Sequence, residues 1–260
     1  MTKTTANDGP IAILTAGAGG MICGSCLNDN TLAASLTRLG VDVRLIPTYT
    51  PIRTDTTDVS EPQVLMGGIN VYLQQVLPGW GRLPSIMTRW LDNPQLIRWI
   101  TSRHMTTDAK SLGPLTVSML KGIEGRQRAE MRRVSRWLAE ELQPRLVQLS
   151  NMLIAGFVPD FKQRTQTPVL ITLQGDDIFL RSLPDKYRAA ALEQIRRIDP
   201  YVDGYIVHSQ YYADAMSDFL GLSRDKMHQV NLGVTIADFQ RPEPADPDAA
   251  RPFTLGYLSR

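Results

Sequence analysis

The stretch Ile11-Ala12-Ile13-Leu14-Thr15-Ala16-Gly17-Ala18-Gly19-Gly20, carried on to Pro47, decides the fold. Ile11 to Thr15 is a short apolar run suited to a buried strand. The glycine-rich Ala16 to Gly20 follows as a loop, and Leu27 to Leu39 then carries a helical pattern that Gly40 stops. Val41-Asp42-Val43-Arg44-Leu45-Ile46 reads as a second strand, ended by Pro47. Strand, glycine loop, helix, glycine stop and strand make a βαβ unit, whose crossover is right-handed and whose strands run parallel. Ligands of such sheets collect beyond the carboxyl ends of the strands, so residues 16–29 are the first candidate site.

Working outward, further short apolar runs occur at Arg145–Leu149, Val169–Leu173, Tyr205–Val207 and His228–Leu232. Helix-length patterns at 152–164, 186–198 and 210–220 separate most of them, so the βα alternation resumes and predicts an α/β domain with a doubly wound parallel sheet. Between the halves, about 80–140, lies a stretch with all four tryptophans (Trp80, Trp90, Trp99, Trp137), patterned as helices. It reads as a helical insertion with boundaries at Pro84, Pro94 and Pro114. Residues 241–252 (RPEPADPDAARP) are proline-rich and nearly free of large apolar side chains, which marks a linker. The expected organisation is a domain over 1–240, a linker over 241–252, and at 253–260 the first strand of a second domain that begins and does not continue.

With 260 residues, 43% hydrophobic and 21% charged, and a mean hydropathy of -0.16, the chain has the composition of a folded globular protein, which excludes disorder and coiled coil as the main architecture. A formal charge of +2 is too mild to imply nucleic acid. Two cysteines, no apolar leader and no membrane-length apolar run predict a cytoplasmic protein in a reducing compartment.

Glycines at a strand-to-helix turn let backbone N–H groups approach a phosphate. Neither common dinucleotide nor P-loop spacing is met: Ile22 stands where the third glycine belongs, and Ser25 where the P-loop lysine belongs. His104, His208 and His228 show no metal spacing, and no G-x-S-x-G elbow is present. Asp246-Pro247-Asp248 lies in the linker and reads as solvated charge. Thr172-Leu173-Gln174-Gly175-Asp176-Asp177 follows a buried strand, so its polar residues face the crevice, cap the next helix, or do both. Cys23-Gly24-Ser25-Cys26 precedes a helix, where amide dipoles lower a thiol pKa; this is the spacing of a redox couple, with structural cysteines as the other reading. Lys121, Arg126, Arg128, Arg132, Arg133 and Arg136 form a basic helical stretch beside Trp137. It suits an anionic lipid or acidic acceptor, or a solvated face paired with Glu124, Glu130, Glu140 and Glu141.

In order and spacing these motifs resemble the N-terminal half of a GT-B glycosyltransferase of family 4, whose N-terminal domain is Rossmann-like. The resemblance is carried by Gly19-Gly20, Thr172-Leu173-Gln174-Gly175, Val207-His208-Ser209, and Val230-Asn231-Leu232-Gly233-Val234 with Phe239. Gly67-Gly68-Ile69-Asn70-Val71-Tyr72 is similar to the glycine turn of glycogen and starch synthases. Gly256-Tyr257-Leu258-Ser259-Arg260 is similar to the first strand of the family's C-terminal domain, where an arginine touches the donor diphosphate. Gln174 stands where the family has histidine, and Thr235 where it has aspartate. Glutamine keeps hydrogen bonding but carries no proton.

The resemblance implies retaining glycosyl transfer from a nucleotide-sugar donor to an acceptor (a glycan, glycolipid or small molecule), without an obligatory metal or other cofactor. It implies donor and acceptor contacts from Gly19, Gly20, Ser150, Asn151, Gln174, Asp176 and Arg260, with no certain catalytic residue in the chain. The expected partners are those two substrates, a missing C-terminal domain that makes this chain half an enzyme inactive alone, and peripheral membrane contact through 121–137, with no nucleic acid. The rival readings are a carbohydrate- or membrane-binding module without chemistry, and a C-x-x-C redox domain.

Overall fold

The structure is a computed structural model that describes residues 9–17, 23–66, 71, 109–233 and 255–256. In chain order its elements are β1 (Ile11–Thr15), α1 (Gly24–Arg38), β2 (Val43–Pro47), α2 (Ala109–Leu120), α3 (Arg128–Arg136), β3 (Leu146–Leu149), α4 (Val158–Lys162), β4 (Val169–Thr172), α5 (Asp176–Ser182), α6 (Asp185–Ile198), β5 (Gly204–Val207), α7 (Gln210–Leu220) and β6 (Met227–Gln229). The strands form one parallel sheet in the order β2-β1-β3-β4-β5-β6. The α/β class and the doubly wound parallel sheet are as expected. The order reverses between β1 and β3, the kind of switch point beyond whose strand carboxyl ends parallel α/β sheets hold their ligands.

Alternation along β1 divides the core between the two faces of the sheet. Ile13 points with Leu45 to the face covered by α1, where Cys26, Ala33 and Ile52 complete a small cluster. Ala12 and Leu14 point to the other face, into a larger core that holds Met131, Val134, Leu138, Phe157 and Phe161. Each fully buried aliphatic side chain of this kind contributes about 1.5–3 kcal/mol. The face α1 turns to the sheet is unusual: Cys26, Asp29, Asn30 and Ala33 recur at helical spacing, so two of its four buried residues are strongly polar.

Several boundaries differ from the sequence reading. Helix α1 begins at Gly24 rather than Leu27, with Cys23 as its N-cap in extended conformation. It ends as expected, at a left-handed Gly40 (φ 79°). Pro114 lies inside α2 instead of bounding it. Gly113 beside it packs directly on the Tyr187 ring of α6, and this tertiary packing outweighs the lost backbone donor. The sixth strand stops at Gln229, and Val230 and Leu232 beyond it are exposed.

The part of the expected insertion that is described, 109–142, is helical and integral to the larger core through Met119, Leu120, Met131, Val134 and Leu138. After α3 the chain continues as a π-helical turn, Trp137–Leu142, closed by Gln143 in the left-handed region (φ 47°). Gly122 (φ 58°) and Gly156 cross backbone to backbone: a Cβ on Gly122 would overlap the Gly156 carbonyl, and one on Gly156 the Met119 carbonyl. The rest of the insertion, the linker at 241–252 and most of the strand expected at 253–260 lie outside the described residues, apart from the exposed Leu255 and Gly256.

Candidate functional site

Three strand ends meet at the switch point. At the end of β1 the chain turns through Gly17 (φ 76°), where a Cβ would overlap the Thr50 carbonyl, so only glycine fits against the residues following β2. Ala16 N–H donates to Ser150 Oγ (3.2 Å), and Ser150 N–H donates to the Leu14 carbonyl (2.9 Å). The end of β3 is therefore stitched to the end of β1. Asn151 Oδ1 accepts from Leu153 N–H (3.0 Å) and caps the 3-10 turn Met152–Phe157.

Asp176 ties β3 to β4. Its carboxylate accepts Met152 N–H (2.7 Å) and Gln174 N–H (3.1 Å). It is the first residue of α5, after a left-handed Gly175 (φ 91°) at the N-cap, and from there its carboxylate bridges the two strand ends. Burial lifts its pKa to about 6 although the N–H groups of Met152 and Gln174 favour the charged form. Gln174 Nε2 donates to the Ser150 carbonyl (3.0 Å), a second bridge over the same gap. Beside it Tyr212 OH accepts Gly175 N–H (2.9 Å) and donates to Asp177 Oδ1 (2.9 Å), joining the starts of α5 and α7.

The four expected site residues that are described, Ser150, Asn151, Gln174 and Asp176, thus lie together at the adjacent ends of β3 and β4. Ser150 and Asp176 are buried, and Asn151 and Gln174 half-buried. Gly19, Gly20 and Arg260 lie outside the described residues. Ile178 and Tyr211 stand exposed on the first turns of α5 and α7.

Opposite this network, α1 brings a group the sequence reading missed. Asp29 is fully buried (0% exposed), and neither carboxylate oxygen has a hydrogen-bond partner among the described residues. Thr15 and Gln174 lie near enough to favour its charged form, but burial dominates and raises its pKa to about 7. Thr15 Oγ1 donates to Cys26 Sγ (3.7 Å), and Gln174 Nε2 gives one of its two N–H groups to Ser150 (3.0 Å). Its neighbour Asn30 is the opposite case: Nδ2 donates to the Thr57 carbonyl (2.9 Å), and Oδ1 accepts Val59 N–H (3.0 Å). The signal for Asp29 was its place one turn after Cys26 on the helix face that carries both cysteines.

Cys23 is half-buried and Cys26 buried, and both thiols are free. Cys23 Sγ lies 3.0 Å from Ser25 Oγ. A hydrogen bond from the Cys26 thiol, aided by Ser25, brings Cys23 down to about 4, while the same bond and burial push Cys26 up.

The basic stretch places Arg126, Arg128, Arg132 and Arg136 on the exposed side, whereas Arg133 pairs with the buried Glu130. Among the described residues no cluster of three metal-ligating side chains occurs and no helix is long and apolar enough to cross a membrane. A shallow hollow lined by Leu138, Ala139, Gln143, Thr165 and Thr167 lies at the amino ends of β3 and β4, away from the switch point. No protein-family model matches the chain, and no curated protein does.

Proposed function

We propose that the domain carries the acceptor side of a retaining glycosyltransferase that uses a nucleotide-sugar donor. The observation that carries this reading is the reversal of strand order at β1, where the residues leaving β1, Ser150 after β3 and Gln174 after β4 are hydrogen-bonded together. Such a switch point is where parallel α/β sheets hold their ligands. The family-like order of motifs then supplies the substrate class.

In this reading the backbone N–H groups of the glycine turn, Gly19 and Gly20 included, face the donor diphosphate and stabilise the charge that develops on it as it leaves. Gln174 presents a neutral amide to the sugar, so any proton transferred at the reacting centre moves between substrates or through water. The exposed Ile178 and Tyr211 offer apolar surface to the acceptor. The exposed arginines of the basic stretch suit an anionic acceptor or an anionic membrane that carries it.

The test is amide chemical-shift mapping with UDP- and GDP-sugars. Perturbation centred on Ala16, Gly17, Ser150 and Gln174, reduced at least tenfold in affinity by Gln174→Ala, is the expected result. Perturbations confined to other faces, or none at millimolar concentrations, would remove the proposal.

A further inference from the structure

The C-x-x-C pair is not used by glycosyl transfer, and its surroundings are specific. Cys23 is the N-cap of α1 and Cys26 its third residue, a spacing a disulfide spans at a helix start. The outer thiol is partly exposed and the inner one buried, with Thr15 donating to the inner sulfur. One turn further along the same buried face lies Asp29, fully buried with both carboxylate oxygens unpartnered among the described residues. A buried carboxylate without partners costs stability. We propose that Cys23, Cys26 and Asp29 form a dithiol–disulfide exchange site, with Cys23 as the attacking sulfur, Cys26 as the resolving sulfur and Asp29 as the proton acceptor for Cys26, acting on disulfides of low-molecular-weight thiols or of proteins.

The Cys23 thiolate attacks one sulfur of a substrate disulfide, forming a mixed disulfide and releasing the other half as a thiolate. Cys26 loses its proton to Asp29, and its thiolate attacks the Cys23 sulfur, closing the Cys23–Cys26 disulfide and releasing the second half. Two thiols of the protein are oxidised to one disulfide, and one substrate disulfide is reduced to two thiols. The helix N-terminus and the bond from the Cys26 thiol favour the attacking thiolate, while that same bond to Cys23 and then burial keep Cys26 protonated before attack. Among the described residues the titratable groups that bear on this step are Cys23, Cys26 and Asp29 themselves. The site does not depend on the glycosyl-transfer reading.

The experiment uses the full chain, iodoacetamide and a glutathione redox series, read by mass spectrometry. Cys23 should alkylate at nearly the same rate at pH 6 and pH 8, where an ordinary thiol would slow close to a hundredfold. Equilibration with oxidised and reduced glutathione should give a reversible intramolecular disulfide. Cys26→Ala should trap the mixed disulfide on Cys23, and Asp29→Asn should slow closure of the disulfide by about tenfold. An alkylation rate that falls with pH like that of a free thiol, no intramolecular disulfide at any glutathione ratio, or one zinc ion per chain masking both thiols would each overturn the proposal. The alkylation profile of the unmodified chain keeps the test decisive if a variant fails to fold.

Discussion

At the end of β4 the carboxylates of Asp176 and Asp177 and the hydroxyl of Tyr212 are all hydrogen-bonded across elements; on the α1 side of the same switch point Asp29 has no partner among the described residues. The two regions bury acidic groups at similar depth. They differ in where the neighbouring donors go. Around Asp176 two backbone N–H groups converge on the carboxylate, and the charge serves to hold β3 against β4. Around Asp29 no donor among the described residues meets its oxygens in hydrogen-bond geometry, Thr15 and Gln174 stand near it while bonded to Cys26 and Ser150, and burial outweighs their influence. A buried acid on which donors converge serves the scaffold, and one without them is a candidate for chemistry.

That contrast can be broken in three ways, from the largest effect to the smallest. The folded-state pKa of Asp29 is raised, so folding takes up a proton, and the penalty on the native state grows as pH rises from the unfolded value near 4 to the folded value of about 7. The stability of Asp29→Asn relative to the parent should therefore increase by on the order of 4 kcal/mol between pH 4 and pH 8 in urea denaturation, the equivalent of about three pKa units. A flat difference across that range would mean Asp29 is satisfied after all. Asp176→Ala strands the N–H groups of Met152 and Gln174 and should cost about 3 kcal/mol at pH 8 by the same measurement. A loss under 1 kcal/mol would deny Asp176 its role as a bridge. Tyr212→Phe removes the acceptor of Gly175 N–H and the donor to Asp177, and about 1 kcal/mol should go with it, with faster amide exchange at Gly175.

The glycine loop between two apolar runs was sufficient to place β1, α1 and β2, because hydrophobic periodicity and Gly40 act locally. The strand order follows from no local signal, but parallel pairing and short connections restrict it to few choices. What escaped was set by packing at a distance. The start of α1 escaped because Gly24 and Cys26 are poor helix formers, and the packing of Cys26 against Ile13 and Leu45 is not visible in the local pattern. Pro114 reads as a helix boundary until Tyr187 is known to press against Gly113. At the site, Gln174 and Asp176 were legible because polar residues directly after a buried strand have one direction to face. Asp29 was not, since an aspartate within a helix pattern normally points to water, and only the sheet and the cysteine face reveal where it sits.

The crossing of Gly122 over Gly156 has a mechanical consequence. Main chain rests on main chain there, with no side chain between that could swing to a new rotamer and let the layers slip. The joint behaves as a weld between the segment after α2 and the segment leading into α4. Any breathing of the domain has to be taken up by the turns on either side of it.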